Sequence, residues 1–413
     1  MSVPLLRPFP GLRPVASRAA EVAAPPYDVL TSDEARVLAA GKPWSFLHIS
    51  KPEIDLPQGT DVYSPAVYAK AAENLGRMIA EGVLRRDDAP CFYIYRLEMG
   101  DHMQTGIVGG GSVAAYDVNR IRKHEFTRPD KEDDRVRQID ACNAQTGPVL
   151  LAHRNSPDLA AVVARTVAGA PAYRVNAVDG NVHSLWVIDA PASVEAVIKA
   201  FEAMPAVYIA DGHHRSAAAS RVAAARRSAG AAADAPSQSF LVVSFPIDEM
   251  KIFDYNRVVR DLNGLSREGF LAALEGEFTV EAEAAQVRPD EPRTIGLYLP
   301  GQWYRLTLKK AVPSDPVARL DVSLLTDRLL APILGIADLR KDKRVDFVGG
   351  KRGLVELEKR VDSGEMAAAF ALFATRMEDL VAVAEAGQVM PPKSTWFEPK
   401  LADGMVSYPL DWS

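Results

Sequence analysis

The chain has 413 residues, of which 48% are hydrophobic and 25% charged, and its formal net charge of −6 disfavours a nucleic-acid-binding protein. Its length exceeds what one ordinary hydrophobic core organises, which predicts two domains. Because the sequence contains neither an apolar run of about 18 residues nor an apolar N-terminal leader, and only two cysteines, we expect a cytoplasmic protein that does not cross a membrane.

Prolines are frequent in the first thirty residues, and a segment of this composition is predicted to be extended rather than helical. The segment ends in Ala24-Pro-Pro-Tyr-Asp28, after which Thr31-Ser-Asp-Glu34 has the pattern of a capped helix start. Tyr27 and Asp28 lie at this junction. They form either a turn with its capping network or a surface that faces a substrate, and the residues favour neither interpretation over the other.

The hydrophobic pattern between residues 44 and 116 predicts one helix and several strands. Apolar residues recur at helical spacing over residues 64–82. Strands are predicted at residues 44–50, 91–98, 104–108 and 112–116. Gly109, Gly110 and Gly111 separate the last two strands, and we expect a bulge or flexible turn there. A phosphate-binding loop would need a following Lys and Ser or Thr, which this sequence lacks.

The densest polar segment covers residues 117–140, in which seven basic residues are balanced by seven acidic ones. This balance argues against a nucleic-acid-binding patch, which would be one-sided. The acidic residues after Pro129 suit the positive end of a helix, so we interpret them as structural. Such a helix start does not account for Lys123, His124 and Glu125, which precede it. We favour a functional role for these three residues over a solvated strand edge.

A strand, a sharp turn and a helix are predicted around Asp211-Gly-His-His-Arg215. The preceding residues are apolar, with β-branched and aromatic members, and from Ser216 onward the chain is rich in Ala and Arg. A helix start offers unpaired N–H groups and a positive dipole end to an anion, most plausibly phosphate, and Arg215 adds a planar cation. Gly212 allows a close approach, while His213 and His214 can donate hydrogen bonds or move a proton. The alternative is a capped helix with two surface histidines.

The pattern changes near residue 257 and predicts a second α/β lobe, so we expect domains at residues 1–256 and 257–413. Strands are predicted at residues 294–299 and 302–308 of this lobe. Near the C-terminus, Lys393-Ser-Thr395 follows two prolines. This cluster either holds a phosphate or carboxylate, or forms a proline-bounded loop that ties down the end of the chain.

Five motifs spread over the chain resemble the signatures of the bacterial and archaeal family called domain of unknown function 1015. They are Pro8-Phe-Pro-Gly-Leu-Arg-Pro14, Ala24-Pro-Pro-Tyr-Asp-Val29, Arg122-Lys-His-Glu125, Asp211-Gly-His-His-Arg215 and Met390-Pro-Pro-Lys-Ser-Thr-Trp-Phe-Glu-Pro-Lys400. The family name implies no activity. A strand followed by Asp-Gly-His-His-Arg and a helix is also similar to the nucleotide-binding turn of the ParB and sulfiredoxin superfamily, which includes a free-serine kinase.

This second resemblance implies an α+β fold, with a mixed-sheet, ParB/sulfiredoxin-like nucleotide-binding core that carries insertions, followed by the second α/β lobe. The chain departs from sulfiredoxin, whose chemistry needs a reactive cysteine where this chain has His213. It also lacks the DNA-binding charge of ParB proteins. The resemblance therefore favours a small-molecule kinase that uses ATP or ADP with Mg²⁺ to phosphorylate a hydroxyl-bearing metabolite.

For such a kinase the resemblance implies a role for each candidate residue. The nucleotide phosphates would be held by Gly212, His213, His214, Arg215 and Ser216, with Lys123 or Arg135 neutralising the transferred charge. The proton of the acceptor hydroxyl would pass to Glu125 or Asp211, with His124 as a reserve base. Tyr27 and Asp28 would contact the acceptor. No set of carboxylate ligands for a metal ion stands out in the sequence.

Two other functions stay open at this point. One is a regulatory protein that binds a nucleotide without any small-molecule acceptor. The other is a metal-dependent hydrolase in which His124, His213, His214 and a carboxylate bind the metal. This last possibility is the least favoured, because the side chains of adjacent histidines diverge and rarely bind one metal together.

Overall fold

The computed structural model describes residues 4–412, which form two compact units. The first unit contains the residues up to 250 together with those from 399 onward, and the second contains residues 251–398. The predicted boundary at residue 256 thus lies close to the start of the second unit. The C-terminal tail, which the sequence pattern grouped with the second domain, packs with the first unit instead.

Strands are given in chain order for each unit. The first unit contains β1 (Leu6–Arg7), β2 (Leu12–Pro14), β3 (Leu84–Arg86), β4 (Phe92–Met99), β5 (His102–Ser112), β6 (Ile121–Arg122), β7 (Ala144–Gln145), β8 (Val149–His153), β9 (Tyr173–Asn176), β10 (Val182–Ile188), β11 (Val207–Asp211) and β12 (Ser239–Pro246). The second unit contains β13 (Lys251–Phe253), β14 (Tyr255–Val259), β15 (Phe278–Glu283), β16 (Thr294–Leu299), β17 (Gln302–Leu308), β18 (Val345–Gly349), β19 (Ala368–Leu372) and β20 (Trp396–Glu398). The tail returns to the first unit with β21 (Tyr408–Pro409).

Helices are divided between the units in the same way. The first unit contains α1 (Ala19–Val22), α2 (Ser32–Ala39), α3 (Leu47–Ser50), α4 (Pro65–Ala80), α5 (Val113–Asp117), α6 (Pro129–Cys142), α7 (Pro157–Val167), α8 (Pro191–Glu202) and α9 (His213–Ser228). The second unit contains α10 (Arg267–Leu274), α11 (Asp321–Leu325), α12 (Gly353–Asp362) and α13 (Met377–Glu385). None of the helices within residues 4–412 combines the length and the apolar character that a membrane span requires.

The main sheet of the first unit has the strand order β6-β11-β8-β12-β5-β4-β10-β9, and β1 pairs with β5. Strand β11 pairs in parallel with β6 and antiparallel with β8, while β8 and β12 are parallel. Strand β12 is buried along almost its whole length, as its continuous apolar run suits a central strand. The predicted α+β fold with a mixed sheet is therefore confirmed.

Two apolar clusters stabilise the first unit. One lies on the main sheet and includes Ile94, Ile107, Val197 and Phe201, the last two from α8. The other lies among α2, α3 and α4 and includes Phe46, Leu75 and Met78. At the start of α2 the expected capping box is present, because Thr31 Oγ1 accepts a hydrogen bond from Glu34 N and the Glu34 carboxylate accepts one from Thr31 N.

Four local predictions for the first unit were wrong. The proline-rich first thirty residues, predicted to be extended, contain the short helix α1. Part of the strand predicted at residues 44–50 is the short helix α3, and the strand predicted at residues 112–116 is the helix α5, which Ser112 caps by accepting from Ala115 N. The triple glycine is no turn but lies inside β5. A Cβ at Gly110 would lie 2.8 Å from Tyr408 Cε2, and one at Gly111 2.9 Å from Val242 Cγ1, so close packing explains these glycines.

The second unit is built on an antiparallel sheet in the order β15-β17-β16-β19-β14-β18. Strands β16 and β17 have the bounds that the hydrophobic pattern predicted. The Lys393–Thr395 cluster is tied into this unit. Arg257 Nη2 donates to Lys393 O over 2.9 Å, and Ser394 Oγ donates to Pro391 O over 2.6 Å. These contacts favour the interpretation of the cluster as a structural loop.

Candidate anion-binding site at the start of helix α9

Two polar motifs that lie far apart in the sequence meet where strands β6 and β11 end. These two strands run in parallel, with Tyr208 opposite Arg122, so their C-terminal ends lie side by side. The residues that follow each strand are therefore neighbours. The imidazole rings of His124 and His213 accordingly lie edge to face, with their centroids 4.5 Å apart.

The turn between β11 and α9 depends on glycine. The register of β11 against β8 shifts between Ile209 and Asp211, and Gly212 then adopts a φ of 93°, which other residues rarely adopt. A Cβ at Gly212 would also lie 3.3 Å from Val149 Cα. Helix α9 starts at His213, three residues earlier than its Ala-rich composition suggested. The tight turn thus places the first N–H groups of a 16-residue helix directly after the sheet edge.

The start of α9 is suited to bind an anion. Ser216 N donates to Gly212 O over 3.1 Å, which is the first backbone hydrogen bond of the helix. The N–H groups of His213, His214 and Arg215 therefore have no acceptor within the helix, and the positive end of the helix dipole lies with them. Gly212 N, in contrast, donates to Asp211 Oδ1 over 2.8 Å, which fixes the turn.

Asp211 is paired with a lysine that the sequence patterns did not single out. Lys400 Nζ lies 2.9 Å from Asp211 Oδ2. Burial raises the pKa of Asp211, but the attraction of Lys400 and then of Arg215 outweighs it and holds that pKa well below its usual range. Asp211 is therefore a permanently ionised anchor at neutral pH, which makes it a poor general base.

The two histidines that meet at the sheet edge are buried and neutral. Burial lowers the pKa of His124 to about 4, and burial together with the neighbouring His124 lowers the pKa of His213 well below its usual value. His124 N donates to His213 Nε2 over 3.5 Å, a long hydrogen bond. His213 Nδ1 lies 3.6 Å from Glu125 Oε2, and the Glu125 side chain is 46% exposed. His124 Nδ1 finds no hydrogen-bond partner within residues 4–412.

His214 does not share the environment of His213. Its Nε2 accepts a hydrogen bond from Arg128 N over 3.0 Å, at the start of α6. Its side chain is directed away from the pair formed by His124 and His213, as expected for adjacent residues of a helix. Lys123 Nζ lies 4.1 Å from the centroid of the Tyr116 ring. The Ser216 hydroxyl donates to His213 O and is fully buried, so it serves the helix itself.

Arg215 reaches from the first turn of α9 into a pocket of the first unit, which we call the Tyr27 pocket. The residues that line this pocket include Tyr27, Arg135, Gln145, Thr146, Arg215 and Asp403. The Cζ atoms of Arg135 and Arg215 lie 4.0 Å and 5.2 Å from the centroid of the Tyr27 ring. Tyr27 is therefore a cation–π platform for two guanidinium groups.

The two arginines of the Tyr27 pocket differ in how far their charges are satisfied. Arg135 Nη2 lies 2.7 Å from Asp134 Oδ2, a close and largely buried ion pair. Arg215 Nη1 donates to Pro148 O over 2.7 Å, whereas Arg215 Nη2 has no hydrogen-bond partner in the described chain. The carboxylate oxygen Asp28 Oδ2 lies 3.7 Å from Nη2, beyond hydrogen-bond distance. Of the two arginines, Arg215 is therefore the one whose Nη2 group can donate a hydrogen bond to a ligand.

Asp403 supplies a carboxyl group to the same pocket from the C-terminal tail. Its backbone N–H and C=O both pair with Ala24, at 2.9 Å and 3.1 Å, which fixes its position. Its side chain is 1% exposed, and Oδ1 lacks a partner in the part of the chain that the structure describes. Burial and the nearby Asp28 raise its pKa to about 7, against the opposing charges of Arg215 and Arg135.

The candidate residues thus fall into two neighbouring groups that Arg215 connects. Around His213 lie Lys123, His124, Glu125, Asp211 and Gly212, and around Arg215 lie Tyr27, Asp28 and Arg135. Sequence reasoning missed Lys400 and Asp403. Lys400 is the last residue of a motif that had been noticed for its resemblance, but no local pattern indicates that this tail packs beside α9.

Comparison with known proteins identifies one family and several distant structures. The model of the family described as "Protein of unknown function (DUF1015)" matches residues 6–323. A comparison with curated proteins gives no match. A free serine kinase variant in complex with AMP is 12% identical, with a TM-score of 0.34 over 71% of this chain and 87% of the kinase.

Two further solved structures are similarly distant. SbnI with a C-terminal truncation, from Staphylococcus aureus, is 11% identical, with a TM-score of 0.39 over 73% of this chain and 87% of SbnI. A conserved hypothetical protein from Pyrococcus furiosus is 14% identical, with a TM-score of 0.32 over 72% of this chain and 93% of that protein. At such values the likeness is remote, and the chemistry of the site has to be derived from its own residues.

Proposed function

This chain belongs to the DUF1015 family, and we propose that it binds ATP or ADP with the phosphates at the start of α9 and transfers a phosphoryl group to a small hydroxyl-bearing metabolite. The observation that carries the proposal is the turn at Gly212. It presents the unpaired N–H groups of His213, His214 and Arg215 beside the buried Arg215 guanidinium. A helix start of this kind, with a cation next to it, is the arrangement that proteins use to hold phosphates.

The phosphates would lie against backbone N–H groups rather than against histidine cations. Because His124 and His213 are neutral, they offer hydrogen bonds but no charge. Positive charge comes from the helix dipole, from Arg215 and from the nearby Lys123, whose charge helps to lower the pKa of His213. Mg²⁺ is expected to arrive with the nucleotide, because magnesium is held mainly by phosphate oxygens and water.

The Tyr27 pocket is the proposed site of the acceptor. Arg215 Nη2 and Asp403 Oδ1 are both buried polar atoms without hydrogen-bond partners among residues 4–412, and leaving such atoms unsatisfied costs free energy. A small molecule with a hydroxyl group would satisfy both, because its oxygen can accept from Arg215 Nη2 and its hydrogen can be donated to Asp403 Oδ1. Since Arg215 belongs to the first turn of α9, an acceptor bound here would lie next to the phosphates.

Asp403 is the carboxyl group best suited to accept the acceptor proton. In the transfer, the acceptor oxygen bonds to the terminal phosphorus, the bond from that phosphorus to the bridging oxygen breaks, and the hydroxyl proton passes to a base. A base works best when its pKa lies near the working pH, and the pKa of Asp403 is about 7. Asp211 is held ionised by Lys400, and the pKa of His124 is about 4. Glu125, half-exposed beside His213, stays the second candidate.

Nucleotide binding at the turn is tested with a matched pair of glycine variants. Gly212 and Gly230 lie at opposite ends of α9 and have φ values of 93° and 97°. Alanine therefore introduces a similar φ strain at both positions, but only Gly212 borders the proposed phosphate site. A Cβ at Gly212 also lies 3.3 Å from Val149 Cα, so thermal unfolding establishes that each variant is folded before the titration. We expect isothermal titration of ATP or ADP with Mg²⁺ to show at least a tenfold loss of affinity in Gly212→Ala and an unchanged affinity in Gly230→Ala. Equal affinities in the two variants would contradict phosphate binding at the turn.

Turnover is tested separately from binding. We expect Asp403→Asn to keep nucleotide affinity and to lose phosphorylation of the acceptor, which is found by screening small hydroxyl compounds for conversion of the nucleotide. If Glu125→Gln loses turnover while Asp403→Asn retains it, Glu125 is the base instead. Nucleotide binding without acceptor-dependent turnover in the wild-type chain would identify a regulatory nucleotide-binding protein.

A further inference from the structure

A group of three metal-binding side chains lies where β6 and β11 end. His124, Glu125 and His213 each offer one ligand atom, and these atoms lie within 4.8 Å of one another. They come together because the parallel pairing of β6 with β11 places the residues after each strand side by side. We propose that these three residues bind one divalent transition-metal ion, such as Zn²⁺, Mn²⁺, Fe²⁺ or Co²⁺. This inference does not depend on the proposed kinase function.

Each of the two buried histidines has a ring nitrogen that lacks a short hydrogen bond within the described residues. His124 Nδ1 lies in the interior with no hydrogen-bond partner in the described residues. His213 makes only long contacts, 3.5 Å from Nε2 to His124 N and 3.6 Å from Nδ1 to Glu125 Oε2, so its ring proton can move to Nε2 when a metal binds Nδ1. An unsatisfied buried nitrogen is unfavourable, and a bound metal would remove that cost.

The distance between His213 and Glu125 fits a shared ligand better than a direct ion pair. His213 Nδ1 and Glu125 Oε2 lie 3.6 Å apart, which is longer than a hydrogen bond. Two ligands on one tetrahedral metal are separated by about 3.4 Å, given metal–ligand distances near 2.1 Å. Glu125 is 46% exposed, so a rotation of its side chain toward the ion would take place at the surface and not in the core. Small movements of these three side chains would therefore complete the site.

The donor set determines which metals fit. Two imidazole nitrogens and one carboxylate suit zinc and other first-row transition metals, whereas Mg²⁺ and Ca²⁺ prefer oxygen ligands throughout. Three protein ligands leave at least one position for water or for an oxygen atom of a bound molecule. His214 is not a member of this set, because its Nε2 accepts from Arg128 N. The ligands therefore differ from those of the hydrolase hypothesis, which used both adjacent histidines.

The test measures metal binding directly on the full chain. Purified protein is stripped with a chelator and titrated with Co²⁺ by absorption spectroscopy and with Zn²⁺ by calorimetry, and elemental analysis gives the stoichiometry. We expect one ion per chain with a nitrogen and oxygen ligand spectrum. Glu125→Gln should lose at least tenfold in affinity, and His124→Gln should lose stoichiometric binding. The control is His102→Gln, which removes a partly exposed histidine of the β4–β5 hairpin and should bind like the wild type.

Glu125→Gln keeps the inference falsifiable if the buried His124→Gln variant fails to fold. Circular dichroism and thermal unfolding establish that each variant is folded before metal is added. Less than one ion bound per wild-type chain, or wild-type affinity in folded Glu125→Gln, would overturn the inference. Nucleotide affinity of Gly212→Ala and Gly230→Ala is measured with Mg²⁺ alone, so failure of the metal site and failure of the nucleotide site are distinguishable.

Discussion

Lys400 Nζ lies 2.9 Å from Asp211 Oδ2, and this ion pair connects the C-terminal tail to the last residue of β11. The same tail brings Asp403 into the Tyr27 pocket three residues later. Lys400 and Asp403, which follow the whole second unit in the sequence, therefore complete the turn at Gly212 and the Tyr27 pocket.

Removing the lysine of this pair tests its contribution to stability. We expect Lys400→Met to lower the free energy of unfolding by about 1 kcal/mol at pH 7, since the pair is partly exposed. The pKa of Asp211 is lowered in the folded chain, so the stability it contributes is present above its unfolded pKa of about 4 and is lost as the pH falls further. Urea unfolding of the wild type, Lys400→Met and Asp211→Asn is measured at pH 7 and pH 3, and the difference between the wild type and Asp211→Asn should shrink at pH 3, because the unfolded carboxylate is largely protonated there. Equal stability of Lys400→Met and the wild type at pH 7 would contradict this role of Lys400.

The contribution of Asp403 to stability should depend on pH with the opposite sign. Its folded pKa, about 7, lies above the value of about 4 for an unfolded chain, so the folded state holds the proton more tightly. The wild type should therefore lose stability as the pH rises from about 4 through 7, whereas Asp403→Asn has no proton to lose there. Relative to the wild type, we expect the free energy of unfolding of Asp403→Asn to rise by up to roughly 4 kcal/mol across this pH range. Urea unfolding at several pH values measures the difference, and a constant difference would disprove the raised pKa.

Tyr27 tests the platform beneath the two arginines. Tyr27→Leu removes the aromatic face that lies 4.0 Å from Arg135 Cζ and 5.2 Å from Arg215 Cζ. We expect a loss of about 1–2 kcal/mol in the free energy of unfolding, because the contacts are largely desolvated. Tyr27→Phe keeps the ring and should lose little, which makes it the matched control. Equal losses in the two variants would show that the hydroxyl group, and not the aromatic face, is what matters.

Local sequence was sufficient where short-range physical chemistry decides the structure. The strand, turn and helix around Asp211–Arg215 were predicted because apolar β-branched residues, a glycine and an Ala-rich run follow one another. The capping box at Thr31 and the strands β16 and β17 were predicted on equally local grounds. The pattern failed at Gly109–Gly111, where the reason for glycine is the close approach of Tyr408 and Val242 from distant parts of the chain.

The sequence by itself determined the two polar motifs and the glycine turn, and it predicted an anion site at the helix start. Only the tertiary structure decided that these motifs share one site. His124 and His213, separated by 89 positions, meet because β6 and β11 pair in parallel, and that pairing depends on burying the whole sheet rather than on either motif. Lys400 lies 189 positions from Asp211, and its return to the first unit depends on backbone pairing of the tail with Leu12 and Ala24. Such contacts are selected by the packing of the complete fold, which no local pattern of residues records.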